Sequence, residues 1–143
     1  MSFYTCLLIS AGGAIGTLAR YLISVATLPI SRDLPLGTIG INILGSFIIG
    51  FFGTLTLAAG RHPVSEDMRL FIMVGLCGGF TTFSAFSLQT LDLMRNGALL
   101  RAGLNVVISV VLCVAAVGAG HALAAHYNEG ATTIAQIDIE EDA

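Results

Sequence analysis

The residues able to do chemistry in this chain concentrate between Gly75 and Ser87, Gly-Leu-Cys-Gly-Gly-Phe-Thr-Thr-Phe-Ser-Ala-Phe-Ser, inside an otherwise apolar segment. In lipid every backbone polar group must be satisfied within the protein, so glycines followed by four hydroxyls are tolerated only against protein or a water-filled cavity. Asn42, Thr90, Asn105 and Ser109 are embedded in the same way, and with Thr81, Thr82, Ser84 and Ser87 they form a set of neutral hydrogen-bonding groups. Neutral donors suit a small anion that must exchange its water ligands as it crosses. No Asp, Glu, Lys or His falls at a predicted membrane centre, whereas a proton-coupled pump or cation carrier normally keeps a carboxylate there. Phe83 and Phe86, three apart, share a helical face with Ser87 and Thr90. An aromatic ring is electropositive at its edge, although two phenylalanines at this spacing also serve plain packing.

The elements that must position these groups follow from hydropathy. The chain has 143 residues, 55% hydrophobic and only 10% charged, against about a quarter charged in an ordinary soluble domain. It reads as an all-α integral membrane protein of one domain. The apolar residues fall into four blocks, each near the roughly 20 residues a spanning helix needs. The first runs from about Phe3 to Leu28, stopping before Pro29; its N-terminus has no basic region, and its apolar run outlasts a signal-peptide core, so it is kept as a span. The second runs from Leu36 to about Ala59, the third from Met68 to about Met94 with Ser65 or Glu66 at its start, and the fourth from Ala98 to Ala125. Gly97 stands where a left-handed helix cap is expected.

Three glycines within five residues, Gly75, Gly78 and Gly79, each cost about 1 kcal/mol relative to alanine in a helix. A broken or locally unwound third helix is expected there, and discontinuous helices expose carbonyls that transporters use as ion sites. Gly12 and Gly16 permit close approach of another helix, and Gly45, Ser46, Gly50 and Gly53 share a face with Asn42. A membrane-embedded carboxamide needs partners and offers two N–H donors and an acceptor. Asn105, Ser109 and Cys113 form a thin polar track on the fourth helix. Arg20, near the end of the first, either snorkels to the interface or draws anions into a vestibule. Cys6, Cys77 and Cys113 read as free buried thiols, since metal sites need paired Cys/His spacing, and the three histidines form no such pair.

The net charge of −3 misleads, because five of nine acids lie beyond residue 128 while residues 1–128 carry six arginines against four acids. Residues 1–126 form the four-helix domain, and 127–143 an acidic tail expected to be disordered. No basic cluster reads as a nucleic-acid surface. Four helices are few to enclose a pathway, so an oligomer is expected. With no lysine, and arginines nearly balanced between the two sides, orientation is barely biased; both orientations would insert and permit an antiparallel homodimer.

The segment beginning at Gly75 closely resembles the G-x-x-G-G-x-T-T-F-S-T-F signature of the Fluc/CrcB fluoride channels. Gly12-Gly-Ala-Ile-Gly-Thr-Leu-Ala-Arg-Tyr21 and Gly37-Thr-Ile-Gly-Ile-Asn-Ile-Leu-Gly-Ser-Phe-Ile-Ile-Gly50 resemble two further family segments, in order. The resemblance implies a four-helix subunit in an antiparallel, dual-topology homodimer with two fluoride pores at the interface. It implies a structural Na⁺ held by the backbone carbonyls of Gly78 and Thr81. Phe83 and Phe86 would line the fluoride pathway with Asn42 beside it, and Arg20 would stand at the vestibule. Thr82, Ser84, Ser87, Asn105 and Ser109 would supply donors. Ala85 and Thr17 depart from the usual threonine and alanine.

The expected activity is therefore passive, electrodiffusive fluoride export across the cell inner (plasma) membrane, with no enzymatic step. Two other readings compete: a small proton-coupled multidrug-type exporter, which needs a buried carboxylate, and a non-transporting subunit whose glycine stripes only join helices.

Overall fold

The computed structural model describes residues 2–57 and 62–128. Four helical stretches are long and apolar enough to cross a membrane: Phe3–Ala26, Leu36–Leu55, Glu66–Arg95 and Leu99–Tyr127. The protein is thus a multi-pass, all-helical membrane protein. The acidic tail assigned to 127–143 begins with two described residues that belong to the bundle: Tyr127 closes the last helix, and Asn128 is buried with its Nδ2 donating to the carbonyls of Thr54 and Leu55. Positions 129–143 lie outside the described residues, as do Ala58 to Arg61, where the second helix was expected to end.

Helix α1 (Phe3–Ala26) starts at Ser2, whose hydroxyl accepts from Tyr4 N–H. It stops two residues earlier than Pro29 alone suggests. Thr27 Oγ1 donates to the Ile23 carbonyl at 2.7 Å, which occupies an end-of-helix acceptor, and the chain tightens into a 3₁₀ turn over Leu28–Ile30. Helix α2 (Leu36–Leu55) ends where Arg69 Nη1 reaches across to the carbonyls of Gly53 and Thr56 and to Thr56 Oγ1, at 2.8–3.1 Å. A guanidinium suits a helix C-terminus because its donors meet unpaired carbonyls at the negative end of the dipole.

The third span is composite. It opens with α3 (Glu66–Arg69), capped by Ser65 and carrying Glu66 and Asp67 in its first turn, and continues through a π-helical segment, Leu70–Cys77. A short α4 (Gly78–Phe80) follows, then Thr81 and Thr82 in extended conformation, then α5 (Phe83–Arg95). The glycines expected to unwind the helix are themselves helical, and the two non-helical residues are the threonines that follow them. The physical reason is packing. A Cβ at Gly75 would lie 2.8 Å from the Ile9 carbonyl oxygen, and one at Gly16 would run into the Leu76 carbonyl. The glycines of α1 and of the third span let the two backbones touch, and that contact keeps them helical.

Gly97 has φ 76°, with its N–H on Met94 O and Ala98 N–H on Leu93 O. This is the two-bond, left-handed cap that ends a helix at glycine. Helix α6 (Leu99–Tyr127) then packs along α2, where a Cβ at Gly120 or Gly50 would collide with the Phe47 or Val117 carbonyl.

Candidate functional site

The turn at Thr81–Thr82 is held by one side chain from α2. Asn42 Oδ1 accepts the Thr82 N–H at 2.8 Å, and Asn42 Nδ2 donates to the Thr82 carbonyl at 3.1 Å. In a continuous helix the Thr82 N–H would serve the Gly78 carbonyl. The Ala85 N–H, which would serve the Thr81 carbonyl, donates instead to Thr82 Oγ1 at 3.1 Å, capping α5. Gly78 and Thr81 therefore both lose their helical donors, leaving two hard backbone oxygens of the kind that bind an alkali or alkaline-earth cation. The Gly79 carbonyl is treated differently. It accepts from Arg20 Nε at 3.2 Å and from Thr17 Oγ1 at 3.4 Å, both from α1.

Beside this turn lies a cavity of about 360 Å³ between α2, the third span and α6. Asn42, Thr82, Phe83, Phe86 and Ser109 line it, as do Gly78 and Thr81. The Phe83 and Phe86 rings are 5.3 Å apart and inclined at 46°. Phe86 is buried, whereas Phe83 is 78% exposed on the single chain. The walls also include Met73, Cys77, Cys113, Ile49 and Val110, and hold no Asp, Glu, Lys, Arg or His. Among the described residues, no three His, Cys, Asp or Glu come together to hold a metal.

Of the other candidate residues, Ser84, Ser87, Asn105 and Arg20 are not on the cavity wall, whereas Ser109 is. Ser87 Oγ donates to the Phe83 carbonyl at 2.9 Å, the local back-bond that commonly consumes a helical serine hydroxyl. Ser84 Oγ lies 3.2 Å from Thr82 Oγ1. Asn105 is fully buried, and its Nδ2 donates to Thr90 Oγ1 at 2.8 Å, while Thr90 in turn donates to the Phe86 carbonyl at 2.8 Å. The amide thus supports the Phe86 backbone from α6, and its Oδ1 has no protein partner. Ser109 Oγ, 6% exposed as a residue and on the cavity wall, is also without a protein partner. Arg20 is partly buried at the turn, on the Gly79 side.

Sequence reasoning missed Gln89, whose buried Oε1 has no protein partner; its position three residues after Phe86 on the same helix was the available signal. It also missed Arg69, which reads as an interfacial charge until α2 is seen to end against it. The thiols of Cys6, Cys77 and Cys113 are free, with Cys77 buried and Cys113 partly so. Cys6, expected to be buried, is exposed on the outer face of α1.

The sequence is similar to those of known proteins. Residues 7–121 match the family described as CrcB-like protein, Camphor Resistance (CrcB). The protein named "Fluoride-specific ion channel FluC" from Methylobacterium radiotolerans is 72% identical over 142 residues, covering 99% of both chains. The protein of that name from Gluconobacter oxydans is 67% identical over 144 residues and the whole of both chains. One from Methylocella silvestris is 52% identical over 122 residues, 85% of this chain and 93% of its own. A family match across all four spans, together with these full-length identities, shows that this chain belongs to the CrcB family.

Proposed function

We propose that this chain is a passive, fluoride-selective ion channel of the cell inner membrane that lowers cytoplasmic fluoride. The observation that carries the reading is the cavity beside the Thr81–Thr82 turn, where Asn42, Thr82 and Ser109 offer neutral hydrogen-bonding groups next to Phe83 and Phe86, with no Asp, Glu, Lys, Arg or His on the wall. Relatives that match the chain end to end bear the name of such channels. A small, strongly hydrated anion needs replacement donors along its path, and ring edges add positive potential without introducing a fixed charge. An interior-negative membrane then drives F⁻ outward at about 2.3 kcal/mol per charge for each 100 mV. The chain performs no catalysis in this reading.

The conducting unit is an antiparallel homodimer with two pores. Phe83, 78% exposed on one chain, needs a covering surface, and the near balance of arginines across the two sides supports dual insertion. The carbonyls of Gly78 and Thr81, deprived of helical donors, fit a structural Na⁺ at the subunit junction. Sodium would supply a fixed charge that ties the two discontinuous third spans together. Exchange of Na⁺ for a larger cation is expected to weaken the dimer or its activity.

Proteoliposomes loaded with fluoride decide the function. Fluoride efflux that outruns chloride supports it; absent efflux, or equal chloride efflux, defeats it. The proton-coupled exporter has no carboxylate on the cavity wall to work with, and unaltered conductance in a Phe83→Ile protein would favour the non-transporting subunit.

A further inference from the structure

Arg69, the last residue of α3, holds the end of α2 with a single nitrogen. Its Nη1 donates to the carbonyls of Gly53 and Thr56 and to Thr56 Oγ1 at 2.8–3.1 Å, while Nε and Nη2 take no acceptor among the described residues. Neither of those two nitrogens is enclosed by protein. Thr54 and Leu55, the other carbonyls of that last turn, accept from Asn128 Nδ2 at 3.1 and 3.0 Å. The negative end of α2 is therefore covered, and the guanidinium brings a whole positive charge against the roughly −0.5 of a helix C-terminus. No carboxylate cancels it. Among the described residues the ion pair formed is Arg101–Asp33, 2.9 Å apart at the other end of the bundle. Asp67, two residues before Arg69, accepts instead from Thr5 Oγ1 at 3.3 Å.

The cavity begins one turn away. Ile49 is its last lining residue along α2 and Met73 its first along the third span; Gly53 follows Ile49 by four residues, and Arg69 precedes Met73 by four. The Met73 methyl would lie 3.1 Å from a Cβ built at Gly53. Met73 thus joins the cavity wall to the residue whose carbonyl Arg69 holds.

We propose that Arg69 is an anion-recruiting residue at this end of the cavity: Nη1 fastens the side chain to α2, and Nε and Nη2 offer charged donors to an anion entering or leaving. The inference rests on the cavity being the fluoride path. An uncompensated charge at a cleft raises the local concentration and the on-rate of the opposite ion. Charge-assisted N–H donors are also stronger than neutral ones, so they suit an anion giving up its water ligands. The competing role is a helix cap alone, in which the charge bears on stability and not on flux.

Arg69→Lys keeps the charge and Arg69→Gln removes it, while both lose the planar donor set that caps α2. Both are expected to lower the midpoint of detergent unfolding. Efflux per folded channel separates the two roles. In phosphatidylcholine vesicles, with Na⁺ held constant and potassium gluconate setting the ionic strength, Arg69→Gln is expected to pass fluoride roughly tenfold more slowly than wild type at about 10 mM salt. Arg69→Lys is expected to stay near the wild-type rate. The gap should close toward about 1 M, where the Debye length falls to roughly 3 Å. Equal efflux from the two variants at low salt, or a gap that salt does not narrow, leaves Arg69 a cap and overturns the proposal. An effect that appears only when anionic lipid is added assigns the guanidinium to a headgroup phosphate and overturns it as well. Arg69→Cys in a Cys6→Ser background makes the comparison within one folded protein. A trimethylammonium adduct on that thiol is expected to restore low-salt efflux and a neutral adduct of similar size is not; equal rates from the two adducts overturn the proposal. Wild-type protein that passes no fluoride defeats the channel reading itself, whereas selective wild-type efflux with an unchanged Arg69→Gln rate defeats this inference alone.

Discussion

Asn42 and Thr82 exchange two hydrogen bonds, side-chain oxygen to backbone N–H and side-chain N–H to backbone carbonyl, at 2.8 and 3.1 Å. One α2 residue thus replaces the helical partners of a residue forty positions later. This arrangement also fixes the orientation of the amide, because only one assignment of its oxygen and nitrogen satisfies both bonds. One Nδ2–H remains beyond the clamp, and Asn42 lines the cavity. The residue therefore serves structure and site together.

Removing the clamp should damage both. Asn42→Ala leaves the Thr82 N–H and carbonyl unpaired in a partly buried turn, at about 1–3 kcal/mol for each group. The expected outcome is a lower midpoint in detergent unfolding together with loss of fluoride efflux. Asn42→Asp is also expected to fail, since a carboxylate accepts from the Thr82 N–H but has no donor for its carbonyl. Full efflux from either variant would show that the turn is held by other means.

Arg20 is tied to the Gly79 carbonyl through its Nε. Lysine at this position keeps the charge but has no equivalent of the planar guanidinium donor set. If Arg20 acts only through long-range attraction of anions, Arg20→Lys keeps wild-type efflux. If it acts through the Gly79 carbonyl, as the geometry indicates, Arg20→Lys falls toward the efflux rate of Arg20→Ala. Comparing the two variants at low and high salt separates these outcomes, because long-range attraction is screened by salt and the short hydrogen bond much less.

Ser109 presents a hydroxyl on the cavity wall with no protein partner. Ser109→Ala removes one donor of about 1 kcal/mol, and fluoride efflux should fall roughly fivefold with little change in stability. Asn105→Leu should behave in the opposite proportion. It removes the support on Thr90, which holds the Phe86 carbonyl, and so should reduce the unfolding midpoint as well as efflux. A stable Asn105→Leu protein with selective loss of flux would instead make Asn105 a direct anion contact.

The backbone contact between α1 and the third span is the least forgiving feature. A Cβ at Gly16 would collide with the Leu76 carbonyl and lie 2.8 Å from Phe80 N. These are backbone atoms with no rotamer to yield, so Gly16→Ala is expected to cost at least the roughly 1–3 kcal/mol of an overpacked core and to lower the yield of folded protein. Gly103→Ala, with nothing within 4 Å of its added methyl, is the matched control and should retain wild-type folding.

Much of this protein was legible along the chain. Hydropathy marks four spans because the bilayer admits only backbones that satisfy their own hydrogen bonds. The cap at Gly97 was legible because its positive φ favours glycine, and the start of the third span because Ser65, Glu66 and Asp67 suit a helix N-terminus. Gly78, Thr81, Asn42, Phe83 and Phe86 stand out through their ordered motifs, and all five border one cavity. What the glycines do was legible only in part: a break was expected within Gly75–Gly79 and, more closely, from Gly78 to Thr81, and Thr81 is indeed extended together with Thr82, whereas contact with α1 keeps the glycines themselves helical. Nor can a linear chain say where a polar group's donors go. Asn42 to Thr82, Arg20 to Gly79, Asn105 to Thr90 and Arg69 to the end of α2 are pairings between distant segments, and each is selected by which backbone groups the bundle leaves unpaired. The sequence alone determined that these groups must lie in the membrane; tertiary structure decided which of them hold the turn and which face the cavity, because a low-dielectric bundle pairs most donors with a neighbouring acceptor and leaves a few, such as the Ser109 hydroxyl, on the cavity wall.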